Sequence, residues 1–239
     1  MAQHTVAAFD AELKELRAAV QAMAATVDVQ LTRLAEAIEV RGDETARSII
    51  AMDRTVDRMQ GEIEEKIVQM IARRQPVAVD LREIIATLKI TSDLERIGDM
   101  AKNCGKRLLA MAALGQQPET MSTLLSLANQ AQAQVVDVMK AFVARDAEAA
   151  LEVWRSDSTI DNLYTALFRE LLTYMMEDPR NIGFCTHLLF CAKNLERIGD
   201  HATNIAENVN FIVTGEQIGL DRPKGESPTA SILAATRKD

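Results

Sequence analysis

Apolar residues recur at three- and four-residue steps along nearly the whole chain, as in Leu13, Leu16, Val20, Met23 and Val27, the stripe an amphipathic helix turns toward a core. Breaks in this period are few: Arg41-Gly42-Asp43, Arg73-Arg74-Gln75-Pro76, Gly115-Gln116-Gln117-Pro118, Ala144-Arg145-Asp146 and Glu177-Asp178-Pro179-Arg180. They predict six long helices, near 6–40, 44–73, 77–114, 119–143, 147–176 and 180–213. Short connections imply antiparallel neighbours. Each stripe is too wide to leave in water, so the expected fold is all-α: two tandem, pseudo-symmetric antiparallel three-helix bundles, over 1–115 and 116–214, laid side by side. From Gly215 to Asp239 the sequence is mixed and turn-rich with no sustained period, which predicts a flexible tail.

Composition agrees with helices. Of 239 residues only 4% are aromatic, with 10 Gly and 5 Pro, while Ala, Leu, Glu, Met, Gln and Arg recur throughout. A net charge of −8 argues against nucleic acid as a partner, because phosphate backbones call for clustered Lys and Arg with little opposing charge. Cys104, Cys185 and Cys191 form neither a CxxC pair nor an even disulfide set and read as buried small hydrophobes in a reducing compartment. The opening MAQHTVAAFDAELKEL has no basic region followed by an apolar run, and no stretch approaches eighteen uninterrupted apolar residues. A soluble, cytoplasmic protein is expected.

The strongest signal is an internal repeat. Leu94-Glu95-Arg96-Ile97-Gly98-Asp99 recurs letter for letter as Leu195-Glu196-Arg197-Ile198-Gly199-Asp200, and the match extends to Ala101 with Ala202 and Asn103 with Asn204. Upstream, Asp53-Arg54-Thr55-Val56-Asp57 parallels Asp157-Ser158-Thr159-Ile160-Asp161, so the whole three-helix unit is duplicated. In both copies the acids stand four apart, which places Glu95 with Asp99, Glu196 with Asp200, Asp53 with Asp57 and Asp157 with Asp161 on common helix faces. Asn103 and Asn204 extend the downstream faces with an amide oxygen. Like charges at this spacing cost roughly 0.2–0.5 kcal/mol per pair in an isolated helix, so water, Arg or Lys, or a bound cation must compensate. Oxygen-only ligands suit Mg, Ca, Mn or Fe. Gly98 and Gly199 inside helices suggest close approach of another backbone beside the acid face. If the second and third helices of each bundle pack antiparallel, the upstream acids face the downstream ones.

The repeated Glu-x-x-x-Asp block in its LERIGD(x)AxN setting, the Asp-x-x-x-Asp helix before it and the opening HTVAAFDAELKEL together resemble the PhoU family across residues 4 to about 213. The resemblance implies two pseudo-symmetric three-helix bundles, homodimerisation and metal ions at Glu95 and Asp99 in the first half and at Glu196 and Asp200 in the second. Asp57, Asp161, Asn103 and Asn204 match less strictly defined positions of the same sites. It further implies a regulator, not an enzyme, that represses phosphate-starvation signalling when phosphate is plentiful. The implied partners are the ATPase side of the phosphate ABC transporter and a sensor histidine kinase, with the membrane reached only through them.

Two rivals stand beside this reading. A di-iron oxidase on a helical bundle needs Glu-x-x-His on two helices, but Gly98 and Gly199 occupy the third position after Glu95 and Glu196, and none of His4, His187 and His201 follows a Glu at that spacing. A purely structural helical scaffold, in which the acids only solubilise, remains open. His201 reads as exposed or interfacial, His187 and Cys191 as packing, and Trp154, Tyr164 and Phe168 as core or dimer contacts.

Overall fold

The computed structural model describes residues 2–40, 42–114 and 121–219, with side chains from residue 9 onward. The expected break at 115–118, with the boundary between bundles, lies outside the described residues, as does the tail from 220 onward. The described residues form α1 (Ala2–Val40), α2 (Asp43–Arg74), α3 (Ala78–Ala112), α4 (Met121–Ala144), α5 (Ala147–Arg155), α6 (Asp157–Glu177) and α7 (Ile182–Thr214), with a 3-10 turn at Pro179–Asn181 before α7.

The helices end where the sequence supplies the chemistry. Gln75 closes α2 in the left-handed conformation (φ 48°), its N–H returning to the Ile71 carbonyl, and Pro76 follows. Asp146 caps α5 by accepting from the Glu148 and Ala149 N–H groups, and Gly215 at φ 83° closes α7.

The predicted fifth helix differs from expectation: it divides into α5 and α6 at Ser156. The Ser156 hydroxyl donates to the Val153 carbonyl at 2.8 Å and accepts from Gln134 Nε2 at 3.0 Å. That side-chain bond competes with helix continuation at this point. The corresponding stretch of α2 runs through without a break.

Leu16, Val20, Met23 and Val27 of α1, Ile49, Val56, Ile63 and Ile67 of α2, and Ile90, Leu94 and Ile97 of α3 are buried together with their counterparts from α4 to α7. The halves meet along two antiparallel helix pairs, α1 on α4 and α3 on α7. Cys104 of α3 and Cys191 of α7 lie opposite each other in the second pair, each thiol near the other's carbonyl, and all three cysteines are free and buried. Trp154 is core, its indole donating to Glu207 at 3.1 Å, whereas Tyr164 and Phe168 are half-buried. His187 is also half-buried, 3.4 Å from an Arg107 guanidinium nitrogen, which corrects its reading as pure packing.

A second correction concerns the helical glycines. A methyl on Gly98 would sit 3.1 Å from Gln30 Oε1 and 3.3 Å from Val56, and one on Gly199 2.8 Å from Ile160 and 3.2 Å from Gln134 Oε1. The notch in each repeat therefore admits a glutamine amide and a β-branched side chain, not a backbone. Gln30 is wholly buried and donates to the Ile49 and Gly98 carbonyls at 3.1 and 3.2 Å, tying the three helices of the first bundle at one level. Close backbone approach occurs two turns further along α3, where a methyl on Gly105 would lie 3.1 Å from the Ala46 carbonyl oxygen of α2.

Candidate cation-binding faces

The antiparallel packing of α2 on α3 brings the two acid motifs of the first half onto one face. Asp53 lies on the apolar stripe of α2, between Ile49 and Val56, and is buried. Its Oδ2 accepts from Lys102 Nζ of α3 at 2.7 Å, and the same ammonium lies 2.5 Å from Asp99 Oδ1. The other Asp99 oxygen accepts from Asn103 Nδ2 at 3.2 Å. Glu95 stands one turn away, 3.6 Å from Arg96 Nε, and Asp57 is exposed beside it.

The electrostatics report the crowding. Burial pushes the Glu95 carboxyl above its ordinary range, and Asp99, Asp57 and Asp53 push it further against the opposing pull of Arg96. Burial likewise disfavours charge on Lys102, but its hydrogen bonds to Asp53 and Asp99 outweigh that and hold its pKa well above the usual lysine value.

The second face has the same frame and different counter-charges. Asp157 is buried at the start of α6, and Thr203 of α7, standing where the first repeat has Lys102, places its hydroxyl 3.2 Å from Asp157 Oδ1. Burial raises the Glu196 pKa, Asp200 and Asp161 add to it, and Lys193 opposes. The Lys193 ammonium lies 2.6 Å from Glu196 Oε2 and 5.4 Å from the Tyr164 ring centre.

The candidate ligands from the sequence lie on or beside two faces, and their roles divide. Glu95, Asp99 and Asp57 gather on the first and Glu196, Asp200 and Asp161 on the second. Asn103 supports Asp99, whereas Asn204 donates at 3.4 Å to Asp93 of the other repeat. His201 binds the same Asp93 oxygen at 2.8 Å, so its interfacial reading holds and it stands apart from the acid face. Sequence reasoning did not select Asp53 and Asp157 above their partners, although an acid on an otherwise apolar stripe marks each of them. Lys102 was not singled out at all; its signal was a lysine three residues after Asp99.

The donor chemistry of both faces, carboxylates with little else, fits a hard cation. As the side chains stand, however, Asp53 and Asp99 are turned toward Lys102 and Glu196 toward Lys193, and among the described residues no three His, Cys, Asp or Glu side chains surround a common point. Ion binding at either face requires side-chain rearrangement. No helix among the described residues is long and apolar enough to cross a membrane.

Comparison with known proteins bears directly on these faces. The family model for the PhoU domain matches residues 20–108 and again 124–209, one match around each acid face. A phosphate-specific transport system accessory protein PhoU homolog from Caulobacter vibrioides (strain NA1000 / CB15N) is 48% identical over 230 residues, covering 94% of this chain and 97% of that protein. A relative of the same name from Rhizobium meliloti (strain 1021) is 45% identical over 223 residues, covering 93% and 94%. Among solved structures, PhoU from Pseudomonas aeruginosa superposes with a TM-score of 0.85 at 38% identity, covering 87% of this chain and all of that one. The phosphate transport system regulatory protein PhoU from Streptococcus pneumoniae gives 0.82 at 29% identity, covering 89% of this chain and all of its own. With the domain matched twice, the helical architecture shared and identity near one half to full-length relatives, this chain belongs to the PhoU family.

Proposed function

We propose that this protein is a non-enzymatic cytoplasmic regulator of phosphate uptake. In this reading it represses phosphate-starvation signalling as an adaptor, acting as a homodimer between the ATPase subunit of the phosphate ABC transporter and a sensor histidine kinase. The printed names of its relatives, accessory to a phosphate-specific transport system, support the transport assignment. The observation that carries the adaptor reading is the duplicated acid face: two frames of like residues on antiparallel α3 and α7 offer paired charged surfaces. Glu95 and Asp99 with Asp57 in the first half, and Glu196 and Asp200 with Asp161 in the second, would hold Mg, Mn or Fe. A bound divalent ion would supply positive charge there and present a mixed-charge surface to a partner.

The test is genetic. A strain lacking this protein should express a starvation-responsive reporter in phosphate-rich medium, and the unaltered gene should silence it. The variant with Glu95, Asp99, Glu196 and Asp200 all changed to Ala should accumulate normally and fail to silence. A deletion strain in which the reporter still responds normally to phosphate would contradict the regulatory reading. Full silencing by the variant would separate regulation from the acid faces and favour a surface elsewhere on the bundle.

A further inference from the structure

Beyond the acid faces, the seam where the end of α3 meets the start of α7 has a charge of the opposite sign. From Met100 to Ala112 on α3 and from Ile182 to Leu195 on α7 the chain carries Lys102, Lys106, Arg107 and Lys193 and no Asp or Glu, in a protein with 35 of them. Lys102 and Lys193 are taken up by acids of the two faces. Lys106 is exposed and Arg107 half-buried, and among the described residues no carboxylate meets either.

Arg107 rests instead on an aromatic ring. Its guanidinium carbon lies 4.4 Å from the centre of the Phe190 ring, and one of its nitrogens 3.4 Å from His187 Nδ1. Burial and the Arg107 charge both lower the His187 pKa, which keeps that ring neutral at pH 7 and leaves the guanidinium as the charge at this spot. Phe190 is 49% exposed, and further along the seam Leu114 and Ile182 are each 48% exposed. Leu114 Cδ1 would stand 3.9 Å from a methyl on Gly183, which sets the end of α3 against the start of α7. Ile182, Thr186 and Phe190 follow one another by one turn along one edge of α7, so the strip runs for about 12 Å.

An arginine stacked on a half-exposed ring, with aliphatic side chains beside it, has the composition of an interface centre and not of ordinary surface. A strip of this length along the seam of two helices matches the apolar edge of a third helix. A guanidinium with no carboxylate of its own takes one from outside, and its fork suits that geometry. An anionic lipid surface calls for a cluster of exposed basic side chains around a projecting apolar face, whereas here two unpaired cations flank apolar groups set along a seam. The chain's own segment from 220 to 239 carries four Lys and Arg against three Asp and Glu, so it does not supply the missing negative charge.

We propose that this strip is a docking site for an acidic amphipathic helix of a partner protein, whose apolar edge covers Leu114, Ile182 and Phe190 and whose carboxylate pairs with Arg107. The site is separate from the Glu and Asp residues of both acid faces, and docking there requires no metal at either.

The experiment is fluorescence anisotropy of the full-length protein with a labelled, stapled helical peptide of about three turns, carrying leucines along one edge and glutamates beside them. The same peptide with lysines in place of the glutamates is the comparison. The unaltered chain should bind the glutamate peptide saturably and the lysine peptide about tenfold or more weakly. Arg107→Glu should reverse that preference, and Phe190→Ala should weaken the glutamate peptide about tenfold. Thr186→Glu, which sets an acid in the middle of the strip, should abolish its binding, and this second route decides the matter if either other variant fails to fold. No saturable binding of the glutamate peptide, equal binding of both peptides, or a preference that Arg107→Glu leaves in place would overturn the proposal. Two further measurements can give the strip to another occupant and overturn it in the same way. One is sedimentation with phosphatidylserine vesicles that is lost in Phe190→Ala, which would assign it to a membrane. The other is a dimer in analytical ultracentrifugation that Phe190→Ala dissociates, which would assign it to a second copy of this chain.

Discussion

Replacing Glu83 with Gln tests how the two repeats are fastened. Glu83 sits on α3 with its side chain 7% exposed, and each carboxylate oxygen meets a different arginine: Oε1 lies 2.5 Å from Arg17 Nε of α1, and Oε2 lies 2.8 Å from an Arg145 guanidinium nitrogen at the turn between α4 and α5. One carboxylate thus joins two helices of the first repeat to the second. An amide accepts through one oxygen only and turns an NH2 group toward the other guanidinium. Removing one member of a buried ion pair costs about 3–5 kcal/mol. Here both arginines are more than a third exposed and recover water, at 39% and 38%, so about 2 kcal/mol is the better figure. For a chain of this size that is a fall in Tm of about 4–8 °C.

The pH dependence sharpens the test. Burial pushes the Glu83 carboxyl up, but the hydrogen bonds and charges of Arg17 and Arg145 push it down further, so its folded pKa lies below the ordinary 4.5. A depressed folded pKa means that the stabilisation is fully present above the unfolded value and is lost as pH falls through the folded one. Thermal or urea denaturation should therefore show a gap between the proteins that holds from neutral pH down to about 4.5 and closes below it. Equal stability at neutral pH, or a gap undiminished at about pH 3, would refute the reasoning.

Three further substitutions follow from other contacts. Gly105→Ala places a methyl 3.1 Å from the Ala46 carbonyl, a backbone atom that cannot turn aside, and should cost about 1–3 kcal/mol in urea denaturation. Gly199→Ala meets side chains and not backbone, the Ile160 methyl at 2.8 Å and Gln134 Oε1 at 3.2 Å, and should cost less. Glu196→Gln carries the opposite sign: burial, Asp200 and Asp161 raise the folded pKa of this group, so its ionisation opposes folding as pH rises above 4.5. In chelator-treated protein at neutral pH the amide should stabilise the chain by about 0.5–1 kcal/mol, and destabilisation there would show that the Lys193 contact outweighs the crowding.

The helical periods and turn residues made most of the fold legible, because Gln75-Pro76, Asp146 and Gly215 act locally and need no tertiary partner. The break at Ser156 escaped, since it depends on Gln134 of another helix engaging its hydroxyl. The acid faces were legible as a repeat, and their assembly from two helices followed from antiparallel packing. What the sequence hid was the compensation. Lys102 and Lys193 are ordinary lysines on ordinary helices until packing sets one of them beside a buried aspartate and the other beside a crowded glutamate. Asn204 and His201 look like extensions of the second face, yet both turn to Asp93 because α3 and α7 pack against each other there.

The most direct test of the acid faces as ion sites is the metal content of the full-length protein, purified natively without chelators and supplied with Mg, Mn or Fe, beside the variant carrying Ala at positions 95, 99, 196 and 200. The account predicts metal retained by the unaltered chain and absent from a variant whose circular dichroism is unchanged. Equal metal in both proteins, or none in either, would contradict it.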